Sequence, residues 1–150
     1  MKIAIGSDHA GFSLKEALKK HLEENGVTVI DKGTYDAASC HYPIYAEAVS
    51  KAVLSGEAER GILVCGTGIG MSISANKING IRAAALSDCF TAEATRKHND
   101  ANILCLGERT VGPGLAFKLA DIFLATQFEG GRHQTRVDMM MALENKTYKE

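Results

Sequence analysis

Five short apolar runs, each followed by a stretch with helical spacing, limit what this 150-residue chain can fold into. "KIAIG" (2–6) reads as a buried strand ending in glycine. "SLKEALKKHLEENG" (13–26) sets Leu14, Leu18 and Leu22 four apart with charges between them. That is an amphipathic helix, with Ser13 as N-cap and Gly26 as C-cap. The alternation then continues with a strand over 27–33, a helix over 44–56, a strand over 61–66 and a helix over 70–78. A strand over 82–87, a helix over 89–99 and a strand over 102–107 follow. Helices over 112–126, with Pro113 near its start, and 133–146 end the pattern.

Apolar strands separated by amphipathic helices imply an α/β fold: a Rossmann-like sandwich whose five-stranded parallel sheet has helices on both faces and a C-terminal helix beyond. No linker, low-complexity run or internal repeat interrupts the pattern, so 1–150 is read as one domain. In such sheets ligands bind outside the carboxyl ends of the strands. The segments that matter are therefore "SDHAG", "TYDAASCHYP", "CGTGIG", "SD" and "GERTVG".

A net charge of −1 gives no reason to expect nucleic acid or an anionic membrane as partner. No apolar stretch approaches the roughly 18 residues of a membrane span. The four cysteines form no CxxC pair, and "MKIAIGSDHAG" enters a strand without a signal-peptide pattern. A reducing cytoplasm is the expected location.

"CGTGIG" (65–70) is the densest motif. Its GxGxG spacing after the third strand, with Met71 at the final glycine position, departs from a dinucleotide fingerprint, and no Walker lysine follows. The loop still suits an anion, because glycines let backbone N–H groups approach a phosphate or a developing oxyanion. A tight strand-to-helix turn is the plainer alternative. Cys65 reads either as a small buried hydrophobe or, in an electropositive setting, as a thiolate base or nucleophile. Cys89 and Cys105 read as packing residues, and Cys40 lies in a loop.

Asp8 and His9 follow the first strand, as a cap and a surface histidine or as an acid–base pair. His98 and Asn99 close the fourth helix, where the dipole alone favours a histidine. Arg132 and Arg136 lie four apart near the start of the last helix, either solvated or paired on a phosphate. "MMM" (139–141) is expected in a core or an interface. His21 and His41 show no metal-ligand spacing, and no metal is expected. Together these residues fit cofactor-free chemistry on a small phosphorylated metabolite, without naming the reaction.

The blocks "GSDHAGF", "VIDKGTY", "YP", "CGTGIGMSISANKINGIRAA", "RKHNDANIL" and "EGGRHQTRV" strongly resemble the ribose-5-phosphate isomerase B family, in family order from residue 6 to about 137. That family also holds galactose-6-phosphate isomerase subunits and some allose-6-phosphate isomerases. The resemblance implies an aldose–ketose isomerase without cofactor, working through an enediolate in the pentose phosphate pathway. It makes Cys65 the base and gives Gly66, Gly68, Ile69 and Gly70 the anion hole. Thr67 assists proton transfer between oxygens. His98 helps open the furanose ring, with Asp8 handling hydroxyl protons. His9, Tyr42 and Asn99 lie at the sugar. Arg132 and Arg136 bind the phosphate from the other subunit of a homodimer, itself able to pair into a dimer of dimers, and Arg109 joins them.

One position departs from the family pattern. His41 stands where many relatives carry an acidic residue before "YP", as in one galactose-6-phosphate isomerase subunit. Those isomerases divide the catalytic motifs between two chains, whereas Cys65, His98 and the arginine pair all stand in this one. A self-sufficient homodimer follows. The competing expectations are a hexose-6-phosphate isomerase and a non-catalytic sugar-phosphate sensing module.

Overall fold

The computed structural model describes residues 1–147. Five strands, β1 (Lys2–Ser7), β2 (Thr28–Asp31), β3 (Arg60–Cys65), β4 (Ala83–Ala85) and β5 (Ile103–Gly107), form one parallel sheet in the order β2-β1-β3-β5-β4. The helices are α1 (Phe12–Glu24), α2 (Tyr42–Leu54), α3 (Ile69–Ala75), α4 (Cys89–Asn99), α5 (Pro113–Ala125) and α6 (Arg132–Glu144), with a 3-10 turn at His9–Gly11.

The central strands β3 and β5 are buried along their whole length, as continuous apolar runs covered on both faces must be. Successive side chains of β3 enter opposite layers. Ile62 and Val64 join Leu14, Leu18, Leu119 and Phe123 in the core under α1 and α5. Leu63 and Cys65 join Val49, Met71 and Cys105 in the core under α2 and α3. Cys65 thus ends its strand on the α2–α3 side.

The strand order reverses direction between β1 and β3, which opens a crevice beyond their carboxyl ends. Ser7 of β1 is in register with Val64 of β3, so the segments starting at Asp8 and Gly66 emerge side by side.

Several boundaries differ from the sequence expectation. The 3-10 turn precedes α1, Asp8 caps that turn, and Ser13 lies within α1 rather than capping it. β4 is three residues long because it is an edge strand whose outer side is closed by a side chain. Asn76 donates to the Ala83 carbonyl at 2.8 Å and accepts from the Ala83 N–H at 2.8 Å, completing a ladder position. Met139 and Met140 are exposed, and the inward face of α6 carries His133 and Val137 instead. Lys15, one of the charges between the leucines of α1, is wholly buried. Its ammonium donates to both oxygens of Asp31 at 2.9 and 2.8 Å and to Glu16 at 2.6 Å. No helix among the described residues is long and apolar enough to cross a membrane.

Candidate active site

A cavity of about 570 Å³ fills the crevice, and Asp8, His9, Tyr42, Cys65, Thr67 and Arg109 face it. The glycine loop forms its floor. Gly68 has φ +79°, and a Cβ there would stand 3.0 Å from the Leu106 carbonyl carbon of β5. Only glycine satisfies both the left-handed turn and the close approach. The turn aims the Gly68 N–H back at Cys65, whose Sγ accepts it at 3.1 Å. The N–H groups of Gly70 and Met71 belong to the first turn of α3, ahead of that helix's own ladder.

The walls are as specific as the floor. The Tyr42 ring covers Gly70, where a Cβ would meet ring carbons at 2.9 Å, and Arg109 lies against Gly66. Asp8 is buried, and its Oδ1 accepts from the N–H groups of Ala10 and Gly11 at 2.9 and 3.1 Å. His9 Nδ1 meets the backbone of Cys40, 3.2 Å from its nitrogen and 3.3 Å from its oxygen, which ties the loop before α2 to the rim. Cys105, beside Cys65 on the same face of the sheet, is buried, and that burial pushes its thiol well above the usual range, with Cys65 adding to the effect. It is an inert packing residue.

His98, Asn99, Arg132 and Arg136 do not line this cavity. They gather around the ends of α4 and α6. The Glu129 N–H donates to the Lys97 carbonyl at 3.1 Å, which pins the turn before α6 to the end of α4. The His98 and His133 rings then stack, with centroids 4.3 Å apart and planes 17° off parallel. Arg136 Nη1 lies 3.5 Å from His133 Nδ1, and both Arg132 and Arg136 are exposed at the start of α6.

His133 escaped the sequence reading. It is buried, and its Nε2 faces the Glu129 carboxylate at 3.5 Å without a hydrogen bond. Burial, and then Arg132, His98 and Arg136, hold its imidazole below the ordinary histidine range, so it stays neutral near neutral pH. The spacing of His133 and Val137, four apart on one helix face, is the signal that would have exposed it. His98, Glu129 and His133 have ligand atoms within 4.8 Å of one another, a grouping that no spacing in the sequence suggested. Stacked rings hold their lone pairs in parallel planes, whereas a metal binds in the plane of each imidazole, and two guanidiniums stand alongside. The guanidiniums offer donor forks to an anion, and the Glu129 carboxylate stands 3.5 Å from His133 Nε2.

One chain thus carries a thiol pocket with a single guanidinium, and a separate cationic cluster rich in imidazole. A doubly covered parallel sheet with a thiol and a glycine-rich loop at its switch-point crevice, and no nucleotide motif, is the architecture of an α/β enzyme with a small-molecule site. Residues 3–140 match the family model described as Ribose/Galactose Isomerase, and the chain belongs to that family. It is 51% identical over 145 residues to ribose-5-phosphate isomerase B of Escherichia coli, covering 97% of each chain. It is 43% identical over 129 residues to the galactose-6-phosphate isomerase subunit LacB of Clostridium acetobutylicum, covering 86% of this chain and 75% of that one. The solved structure of Clostridium thermocellum ribose-5-phosphate isomerase B superposes with a TM-score of 0.96 at 51% identity, over 97% of this chain and 99% of that one.

Proposed function

We propose that this protein is a ribose-5-phosphate isomerase that works without a cofactor, interconverting ribose 5-phosphate and ribulose 5-phosphate through an enediolate. The observation that carries this reading is Cys65 Sγ, set at the crevice and hydrogen-bonded by Gly68 N–H within an oxyanion-binding loop.

The aldose must first be open. His98 protonates the ring oxygen while Asp8 takes up a hydroxyl proton. The Cys65 thiolate then removes the proton from carbon 2, and the electron pair moves onto the carbonyl oxygen of carbon 1. Loop N–H groups hold that developing charge. Thr67 passes a proton between the two oxygens, and the Cys65 thiol returns its proton to carbon 1. The overall change is one proton moved between carbons and one between oxygens, so no redox partner is needed. The Tyr42 ring over Gly70 shields the enediolate from water, which matters because a phosphorylated enediolate eliminates phosphate.

The same reading makes the enzyme a homodimer with shared sites. The cavity holds the base, the oxyanion loop and Arg109, while His98, Asn99, Arg132 and Arg136 stand elsewhere on the chain. A two-fold partner brings the second group to the first, and the arginines take the phosphate. All four cysteines are free, in keeping with a reducing cytoplasm.

A hexose-6-phosphate isomerase is the second reading, favoured by the LacB relative and by His41, the exposed N-cap residue of α2 next to Tyr42. Specificity constants on ribose 5-phosphate, allose 6-phosphate and galactose 6-phosphate separate the two. Ribose 5-phosphate is expected to give the highest value. A higher value on either hexose phosphate would transfer the assignment, and tight binding without turnover would point to a sensing module.

A further inference from the structure

The cationic cluster depends on how α4 ends, and that end is built around a residue outside both groups of site residues. Asp100 follows His98 and Asn99 with φ 46°, in the left-handed region, and its N–H closes the helix on the Thr95 carbonyl. A left-handed aspartate is strained and needs support. Arg82, at the entry to β4, supplies it. Its Nε donates to the carbonyls of Asn99 and Asp100, both at 3.1 Å. Its Nη2 donates to the Asp100 carbonyl at 2.8 Å and to Asp100 Oδ2 at 3.1 Å. Arg96 Nη1 holds the other carboxylate oxygen at 2.9 Å.

Arg82 is itself fixed. Its N–H donates to Asn102 Oδ1 at 2.8 Å, and Asn102 Nδ2 donates onward to the Gly80 carbonyl at 2.9 Å. The fork therefore transmits the rigid β4–β5 edge to the last turn of α4. A lysine cannot reproduce it, because one ammonium lacks the planar set of donors.

We propose that Arg82 is a positioning residue for the ring-opening step: by clamping the carbonyls of Asn99 and Asp100 it fixes the end of α4 and so the orientation of His98. This rests on the reading of His98 as the group that opens the furanose. Arg82 acts through that helix end and not by touching the sugar. Its loss acts on ring opening and leaves the Cys65 proton transfer intact.

Two substrates separate those steps. Ribose 5-phosphate is largely a furanose and must be opened. Ribulose 5-phosphate cannot close a furanose, because its 5-hydroxyl is esterified, so hydrogen exchange at its carbon 1 in deuterium oxide needs only the enediolate. Arg82→Lys is expected to lower kcat on ribose 5-phosphate about tenfold or more while exchange on ribulose 5-phosphate stays within about twofold of wild type. Asp100→Asn keeps a residue that tolerates the left-handed conformation, and is expected to shift the two rates in the same sense by less. It carries the comparison if Arg82→Lys fails to fold. Wild-type turnover of both substrates by the variants, or an equal loss on both, would overturn the role of Arg82. A wild-type enzyme inert on both substrates would instead overturn the isomerase reading.

Discussion

Replacing Gly68 by alanine tests the geometry of the thiol pocket at its tightest point. A left-handed conformation costs a residue with a Cβ about 1–2 kcal/mol. The new methyl would also sit 3.0 Å from the Leu106 carbonyl carbon and 3.2 Å from the Cys105 carbonyl, backbone that β3 and β4 hold in place. Overpacking of that kind adds about 1–3 kcal/mol. The sum, about 2–5 kcal/mol, corresponds to a fall in Tm of roughly 5–15 °C for a chain of this length. Gly26 supplies the control. It has nearly the same φ, +78°, but nothing lies within 4 Å of where its methyl would stand, so Gly26→Ala is expected to show only the conformational cost. Thermal unfolding of both variants measures the difference. Activity should fall further in Gly68→Ala, because a displacement of about 1 Å in a reacting group costs on the order of 100-fold in rate. A Gly68→Ala protein as stable as Gly26→Ala and with wild-type kcat would refute the account of this loop.

Other expectations concern the core and the assembly. Lys15 is buried and Asp31 nearly so, and Asp31→Asn leaves the ammonium with only the part-exposed Glu16, so it is expected to cost about 2–4 kcal/mol in urea unfolding at pH 7. Burial alone would raise the Asp31 carboxyl, but hydrogen bonds from Lys15, the Gly33 N–H and Lys19 overcome it and hold the group below the usual carboxylate range. Its contribution is therefore full above the ordinary carboxylate pKa and lost as pH falls through the lower folded value, so wild type and Asp31→Asn should converge in stability in strong acid. Stability curves that stay parallel down to that range would contradict this. If the site is shared across a homodimer as proposed, mixing Arg136→Ala with Cys65→Ala chains restores activity, since each mixed dimer would hold one intact site. With free exchange the yield is about a quarter of wild-type sites. No rescue despite demonstrated exchange would place each site within one chain.

The layers of this fold were legible because β1, β3 and β5 are apolar on both faces and the helices between them carry clear stripes. What misled was local. Lys15 sits among charges in the sequence, and nothing in α1 reveals that Asp31 of β2 folds over it. β4 looked twice its length because Arg82 and Leu86 flank the alanines, yet the Asn76 side chain, distant in pattern, does the work of a neighbouring strand. Of the site, Asp8, His9 and Cys65 were found by their place after strands and Thr67 and Arg109 through the family resemblance, and the cavity gathers them. Their separation from His98, Asn99, Arg132 and Arg136 was not legible, because spacing along a helix does not say which end of the sheet that helix closes. His133 hid for a simpler reason: a histidine between two arginines reads as part of a charged surface, whereas its ring lies inward against His98.

The central claim is that Cys65 moves the proton. Turnover of ribose 5-phosphate in deuterium oxide, by wild type and by Cys65→Ala with unchanged thermal stability, tests it most directly. Wild type is expected to isomerise the sugar and incorporate solvent deuterium, and Cys65→Ala to lose both by about 100- to 10,000-fold, the usual worth of a positioned base. Comparable turnover and deuterium incorporation in the variant would contradict the assignment of Cys65 as base.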